Sequence, residues 1–363
     1  MRLVATKAIR EGTELAKPIY SDNGQILIQR DIKLTKRMLK RLVQQGITYV
    51  YIKDKLTEDI IINPPIPDEL RIEAVQMVKS SFAEIQKQDL TKNSFLLDKT
   101  SYKMADMVSN IINHVKNRDE VISILSDILI SDDYVFSHSI NVTVYSLALA
   151  SELGLPSRKI EDIGLGAMLH DVGKVFLPES ILNKTDKLSK HEFEIIKTHS
   201  EEGFNFLRKS SNVPLLVAHC AFQHHERLDG SGYPRGLKSK DIHPYGKLLG
   251  VADVFDAVTS NRVYRDAMLP HQGLEILYAG AGTLFDRDLV ESFRKTIAMY
   301  PNGLTVELSD GRTGIVVNQN NHLYERPIIR IIKDQHEDVS PYDVDLSKEL
   351  NVMVTKCNYE LAK

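Results

Sequence analysis

Short β-like runs with one helix open the chain, helical spacing fills its middle, and period-two alternation returns near its end. Leu15 to Tyr20 leads into the turn signal Asp22-Asn23-Gly24, and Gln25 to Ile28 follows. Leu34, Met38, Leu39 and Leu42 then keep helical spacing, with Gly46 placed to end that helix, and Ile47 to Ile52 reads as a strand. The stiff break Asn63-Pro64-Pro65-Ile66-Pro67 marks the end of this small α/β unit, residues 1–64. Beyond it the spacing predicts helices through Leu70 to Phe82, Met104 to Val115, Val121 to Ile130, Val142 to Leu153 and Ile160 to Leu169. More follow around Phe193 to Leu207, Leu215 to His225, Leu248 to Thr259 and Leu289 to Ile297. After a second break, Tyr300-Pro301-Asn302-Gly303, the runs Leu304 to Leu308, Thr313 to Asn318 and Pro327 to Ile332 predict a small antiparallel β module, residues 301–363. The fold class is therefore mainly α, flanked by two small β-containing units.

Composition narrows the function classes. Of 363 residues, 42% are apolar and 26% charged, the balance of a soluble globular protein. Lys plus Arg (46) against Asp plus Glu (49) gives −3, so no bulk basic field exists and non-specific DNA binding is not expected. The N-terminal Met1 to Lys7 reaches charge before an apolar signal segment can form. Apolar runs such as Val144 to Ala150 fall far short of the ~20 residues that span a bilayer. Two cysteines build no disulfide framework, and a cytoplasmic location is the expectation.

The 12 histidines matter through their placement. His170-Asp171 ends an apolar helix and is followed by Gly173 and Lys174; His224-His225 ends another and precedes Glu226 to Pro234. His138 opens the helix running to Leu153, and His199 lies on the amphipathic helix of the 190s. Asp253 sits within Leu248 to Val254, where a buried carboxylate needs a partner or a metal. Five imidazoles and two carboxylates suit Fe, Mn, Zn or Ni and suffice for two ions sharing one carboxylate, provided the fold gathers them.

His170-Asp171 with Lys174, His224-His225, the string Asp229-Gly230-Ser231-Gly232-Tyr233-Pro234 and the stretch Val251 to Ser260 closely resemble the HD-GYP family of HD-superfamily phosphodiesterases. The resemblance spans about residues 111–300, leaving 65–110 as a helical connector. It implies a bacterial, cytoplasmic hydrolase of second-messenger signalling that cleaves cyclic di-GMP to pGpG, with GMP as a further product, by a metal-bridged hydroxide. It makes His138, His170, Asp171 and Asp253 ligands of one metal and His199, His224 and His225 ligands of a second, with Asp171 bridging. Fe or Mn is favoured, with Zn or Ni as alternatives. Where some relatives carry a Glu for a third metal this chain has Tyr134, so two ions per chain are expected.

In the mechanism so implied, Lys174 and Asp171 are catalytic, Lys174 neutralising charge on the phosphate. Arg262 and Arg265 hold phosphates, with Val263 standing where the family has Pro. Gly232, with Gly230, lets the loop approach a ligand, Tyr233 contacts guanine, and Asp256 is placed among the substrate contacts or behind the ligands as an orienter. The Gly-Tyr-Pro loop is a candidate docking surface for a GGDEF-type cyclase or another signalling protein, and a homodimer is a further candidate. The competing class is a cyclic di-GMP sensor that keeps its metals without turnover and signals through its terminal domains. Turnover separates the two, and metal count separates both from a mononuclear HD nucleotide hydrolase, the weakest reading because His199, His224 and His225 would then be surplus.

Overall fold

The computed structural model describes residues 1–21, 25–62, 64–87, 94–116, 129–130, 134–182, 184, 186–260, 267–320, 323–335 and 337–358. The N-terminal unit holds β1 (Arg2–Ala5), β2 (Ile19–Ser21), β3 (Ile26–Ile28), α1 (Lys36–Gln44) and β4 (Tyr49–Ile52). β2 and β3 pair antiparallel around the expected turn, whose residues 22–24 lie outside the described ones. Thr35 caps α1, its hydroxyl accepting from the Met38 amide at 3.3 Å.

α2 (Asp68–Lys87) and α3 (Ser94–Lys116) lead into the helical middle. The helical reading of Val121 to Ile130 fails at its end: Leu129–Ile130 forms β5, parallel to β2, with Tyr20 opposite Leu129. An apolar pair beside an open strand edge gains ladder hydrogen bonds there, which local spacing cannot foresee. Residues 121–128 lie outside the described ones. The remaining helices are α4 (Tyr134–Glu152), α5 (Ser157–Leu169), α6 (Glu179–Leu182), α7 (Lys190–Lys197), α8 (His199–Leu207), α9 (Leu215–Gln223), α10 (Pro244–Thr259), α11 (Pro270–Ala279) and α12 (Arg287–Arg294). The stretch read as one helix from Phe193 to Leu207 breaks at Thr198, so His199 begins a new helix.

α4, α5, α9 and α10 pack around one core of Ile140, Val144, Leu147, Ile163, Met168, Val217, Leu248 and Val251. Cys220 is a packed thiol within it, fully buried, and burial pushes its pKa up. No helix among the described residues is long and apolar enough to cross a membrane.

The C-terminal strands β6 (Thr305–Leu308), β7 (Thr313–Asn318), β8 (Ile328–Asp334), β9 (Glu337–Asp345) and β10 (Val354–Asn358) form an antiparallel sheet in the order β10-β6-β7-β8-β9. β1 and β4 pair antiparallel, Arg2 opposite Ile52, and side chains alternate across this ribbon. Val4, Val50 and Ile52 face a core with Leu15, Leu34 and Leu42; Leu3, Tyr49 and Tyr51 face Leu304, Val306, Val316, Ile329 and Ile331. The two ends of the chain thus complete a single core between them. Polar contacts seal the seam: Arg330 forks onto Asp59 (2.6 and 2.8 Å) and onto Asp343 (2.8 and 3.1 Å), and the Leu3 amide donates to the Gly303 carbonyl.

Candidate metal centre

The seven expected ligands come from five places in the sequence and meet at one end of the bundle. His138 lies in the second turn of α4, His170 and Asp171 follow α5, His199 opens α8, His224 and His225 follow α9, and Asp253 is mid-α10. A helix end leaves its last side chains free to turn inward, and apolar faces on α5, α9 and α10 carry the ends together. All but His225 are less than a tenth exposed.

The ligand atoms fall into two groups, His138-His170-Asp171 and His199-His224-His225, each within 4.8 Å. Asp171 lies between them. Its Oδ2 is 3.4 Å from His170 Nε2 and 3.8 Å from His138 Nε2; its Oδ1 is 3.4 Å from His199 Nε2 and 3.9 Å from His224 Nε2. Asp253 spans the groups as well, with Oδ1 3.1 Å from His138 Nε2 and Oδ2 3.6 Å from His225 Nδ1.

Backbone carbonyls fix the ring orientations. His170 Nδ1 lies 2.7 Å from the Ala167 oxygen, His199 Nδ1 2.7 Å from that of Ile196, and His224 Nδ1 2.9 Å from that of Ala221. Each Nδ1 therefore carries the hydrogen and each neutral ring aims a bare Nε2 inward. Burial depresses His170, His224 and His225 and takes His199 down to about 4, so all four are held neutral. Burial acts against the charge of Asp171, but the Lys174 ammonium, with His138, outweighs it and holds the carboxyl well below the usual range. Asp253 is likewise lowered against its burial, by the His138 hydrogen bond and by His225. His138 is the exception: burial lowers it, yet the Asp253 and Asp256 carboxylates lift it to about 9.

This arrangement fits a metal. His199 Nε2 and His224 Nε2 face each other at 3.3 Å, two lone pairs with no hydrogen between them. His170 Nε2 and Asp171 Oδ1 are buried with no hydrogen-bond partner. A cation resolves such opposed acceptors, and neutral imidazoles with ionised carboxylates are the donor set it requires.

Lys174, on the turn Val172–Phe176, reaches Asp171 Oδ2 with its ammonium at 2.6 Å, and its side chain is 22% exposed. It is more exposed than any of the seven expected ligands. The Tyr233 ring leans over His225 at 4.5 Å between centroids. Beside it are an exposed Phe193 (6.5 Å) and the Lys197 ammonium, which lies over both rings.

Asp256 and Gly232, expected among the substrate contacts, both lie against protein. Asp256 is 1% exposed and sits behind His138: Oδ2 takes His138 Nδ1 at 2.7 Å, and Oδ1 takes Asn141 Nδ2 and the Ser260 hydroxyl. Its position one turn after Asp253 points it into the α4 contact, behind an expected ligand. Gly232 approaches protein backbone: a Cβ there would lie 2.5 Å from the Arg227 nitrogen and the Glu226 Cα. The loop packs on the histidine pair, with the Tyr233 amide donating to the His225 carbonyl at 3.2 Å. Arg262, Val263 and Arg265 lie outside the described residues, as does the side chain of Tyr134.

Several contributors were not read from the sequence. Asn141, three residues after His138 on the same helix face, carried a usable signal in its spacing. Arg227, whose guanidinium donates to the His224 and Glu226 carbonyls, carried none, nor did Gly173. A Cβ at Gly173 would collide with the His199 carbonyl and lie 2.6 Å from the Gly203 nitrogen, so α8 rests directly on the turn after Asp171.

Comparison with known proteins bears on the family. A family model described as "HD domain" matches residues 103–289, and one described as "KOW domain associated with HD domain" matches residues 305–360. The chain is 34% identical over 227 residues to cyclic di-GMP phosphodiesterase PA4108 of Pseudomonas aeruginosa, covering 62% of this chain and 55% of that protein. It is 35% identical over 260 residues to a cyclic di-GMP phosphodiesterase of Thermotoga maritima, covering 71% and 67%. It thus spans between about half and two thirds of the length of these relatives. In fold it is similar to Bd1817, an HDG"Y"P protein from Bdellovibrio bacteriovorus, with a TM-score of 0.50 at 18% identity over 80% of this chain and 97% of that one. The chain belongs to the HD-GYP family of HD-domain proteins.

Proposed function

We propose that the chain is a metal-dependent phosphodiesterase that opens cyclic di-GMP to linear pGpG, with GMP as the product of a second cleavage. The observation that carries this reading is Asp171, whose two oxygens each face a separate group of bare imidazole nitrogens. His138, His170, Asp171 and Asp253 would hold one ion and His199, His224 and His225 the other, with Asp171 shared and Fe or Mn favoured. Divalent ions so held would supply an acidified water and positive charge for the phosphoryl oxygens. The names of the two relatives favour cyclic di-GMP as the substrate.

The chain's own groups do the rest. The backbone carbonyls behind His170, His199 and His224 keep the rings in one tautomer, and Asp256 does so for His138. Lys174 offers charge at the solvent-open edge, where a phosphate would enter. Tyr233 and Phe193 present aromatic surface next to His225, suited to a purine.

Anaerobic purification with metal analysis, followed by chromatography of products from cyclic di-GMP and from a mixed cyclic dinucleotide, tests the reading. About two metals per chain and pGpG are expected, as in other two-metal sites. Tight nucleotide binding with no product under both Fe and Mn loading would replace the enzyme by the sensor. Lys174→Ala is expected to keep its metal and to lose about 10²-fold in turnover, the scale of one electrostatic contact to the transition state. Loss of metal in that variant would show that the lysine holds the site together instead.

A further inference from the structure

Arg71 lies on α2, outside the residues matched by the HD model, one turn beyond Pro67. It is 3% exposed, an unusual place for a guanidinium, which is seldom buried without fixed acceptors. Its Nη1 donates to Asn141 Oδ1 at 2.7 Å; Asn141 Nδ2 donates to Asp256 Oδ1 at 2.9 Å; Asp256 Oδ2 meets His138 Nδ1 at 2.7 Å. Four buried side chains from α2, α4 and α10 form one line that ends on an expected metal ligand.

The direction of that line is forced. A guanidinium can only donate, so the Asn141 oxygen must turn toward it and the amide nitrogen toward α10. A carboxylate can only accept, so Asp256 takes the amide hydrogen on one oxygen and leaves the other for the ring. His138 Nδ1 must then be the protonated nitrogen, and Nε2 faces Asp253 and Asp171. His170, His199 and His224 meet backbone carbonyls with Nδ1, whereas His138, in the second turn of α4, meets the Asp256 carboxylate at the end of this line.

We infer that Arg71 is a positioning residue for the metal centre, setting the tautomer and angle of His138 through Asn141 and Asp256. It thereby ties α2, continuous with the segment that leaves the N-terminal unit, to the ligand shell. The inference rests on the metal reading of the site but not on the identity of the substrate.

Mn²⁺ binding by the full chain, measured by competition with a chelating indicator, tests it in wild type, Arg71→Met, Asn141→Ala and the double variant. Each single variant is expected to bind Mn²⁺ about 10- to 100-fold more weakly, as when a ligand's orienting partner is lost. The double variant should be no weaker than the worse single one, since both cut the same line. Melting of the metal-free proteins runs alongside, because a purely structural arginine would lower the melting temperature and leave affinity unchanged. Wild-type Mn²⁺ affinity in folded Arg71→Met, or losses that multiply in the double variant, overturns the inference. If Arg71→Met does not fold, Asn141→Ala decides: the amide is the link, and wild-type affinity without it is equally fatal. A wild type that binds no Mn²⁺ removes the metal reading and this inference together. One that binds Mn²⁺ but leaves cyclic di-GMP intact removes only the enzyme.

Discussion

Replacing Asp171 by Asn is expected to abolish metal loading and hydrolysis together while the helical fold persists. The substitution keeps the shape of the side chain but turns one of its two oxygens into an amide donor. Whichever way the amide turns, it presents N–H to one group of imidazoles and loses the charge that both groups share. Turnover should fall by at least about 10²- to 10³-fold, the cost of one lost electrostatic contact to a transition state. The folded chain should survive, because the neutral side chain removes a buried charge and the partner left behind, Lys174, reaches solvent. Metal content, far-UV circular dichroism and product formation are read on the same preparation. His170→Ala should behave in the same way. Full metal content with full activity in either variant would falsify the assignment of these residues.

Gly173→Ala is expected to be the most damaging small substitution near the site. An added methyl would meet the His199 carbonyl and the Gly203 nitrogen, both backbone, so neither can swing aside. α8 must move off the turn, carrying His199 with it. The expected cost is about 3 kcal/mol, the upper part of the range for overpacking, together with loss of metal from the His199-His224-His225 group. Denaturant midpoint and metal content check the two parts separately. An unchanged midpoint would mean that the contact relaxes cheaply, and unchanged metal content would mean that His199 tolerates the shift.

The residues that gather at the candidate metal centre carried local signals: adjacent His-Asp and His-His pairs at the ends of apolar helices, and a carboxylate within an apolar run. Their convergence was not local, and only the family resemblance joined them. Asp256 shows the limit of spacing. Its place one turn after Asp253 left open whether it faced substrate or ligand, and the neighbour that decides, His138, lies 118 residues away. Arg71 and Gly173 were invisible for the same reason, since their partners sit on α4 and α8. Among the elements, β9 escaped notice because most of it is exposed: Glu337–Asp345 is rich in charge, contains Pro341 and buries only Val344, as an edge strand does. The reading of Val121 to Ile130 as a helix failed at Leu129 because a strand 109 residues earlier offered a partner.

The core shared by the two ends of the chain has a consequence for how the protein is made. Leu3, Tyr49 and Tyr51 emerge from the ribosome some 250 residues before their apolar partners Leu304, Val306 and Ile329. One face of the first ribbon therefore stays uncovered while some 250 intervening residues are synthesised, roughly 12–50 seconds at about 5–20 residues per second. Such long-range closure is slow to form and leaves apolar surface open to chaperones and to other chains meanwhile. The helical middle can fold as it appears, but the core on that face of the ribbon closes only once β6, β7 and β8 have been made.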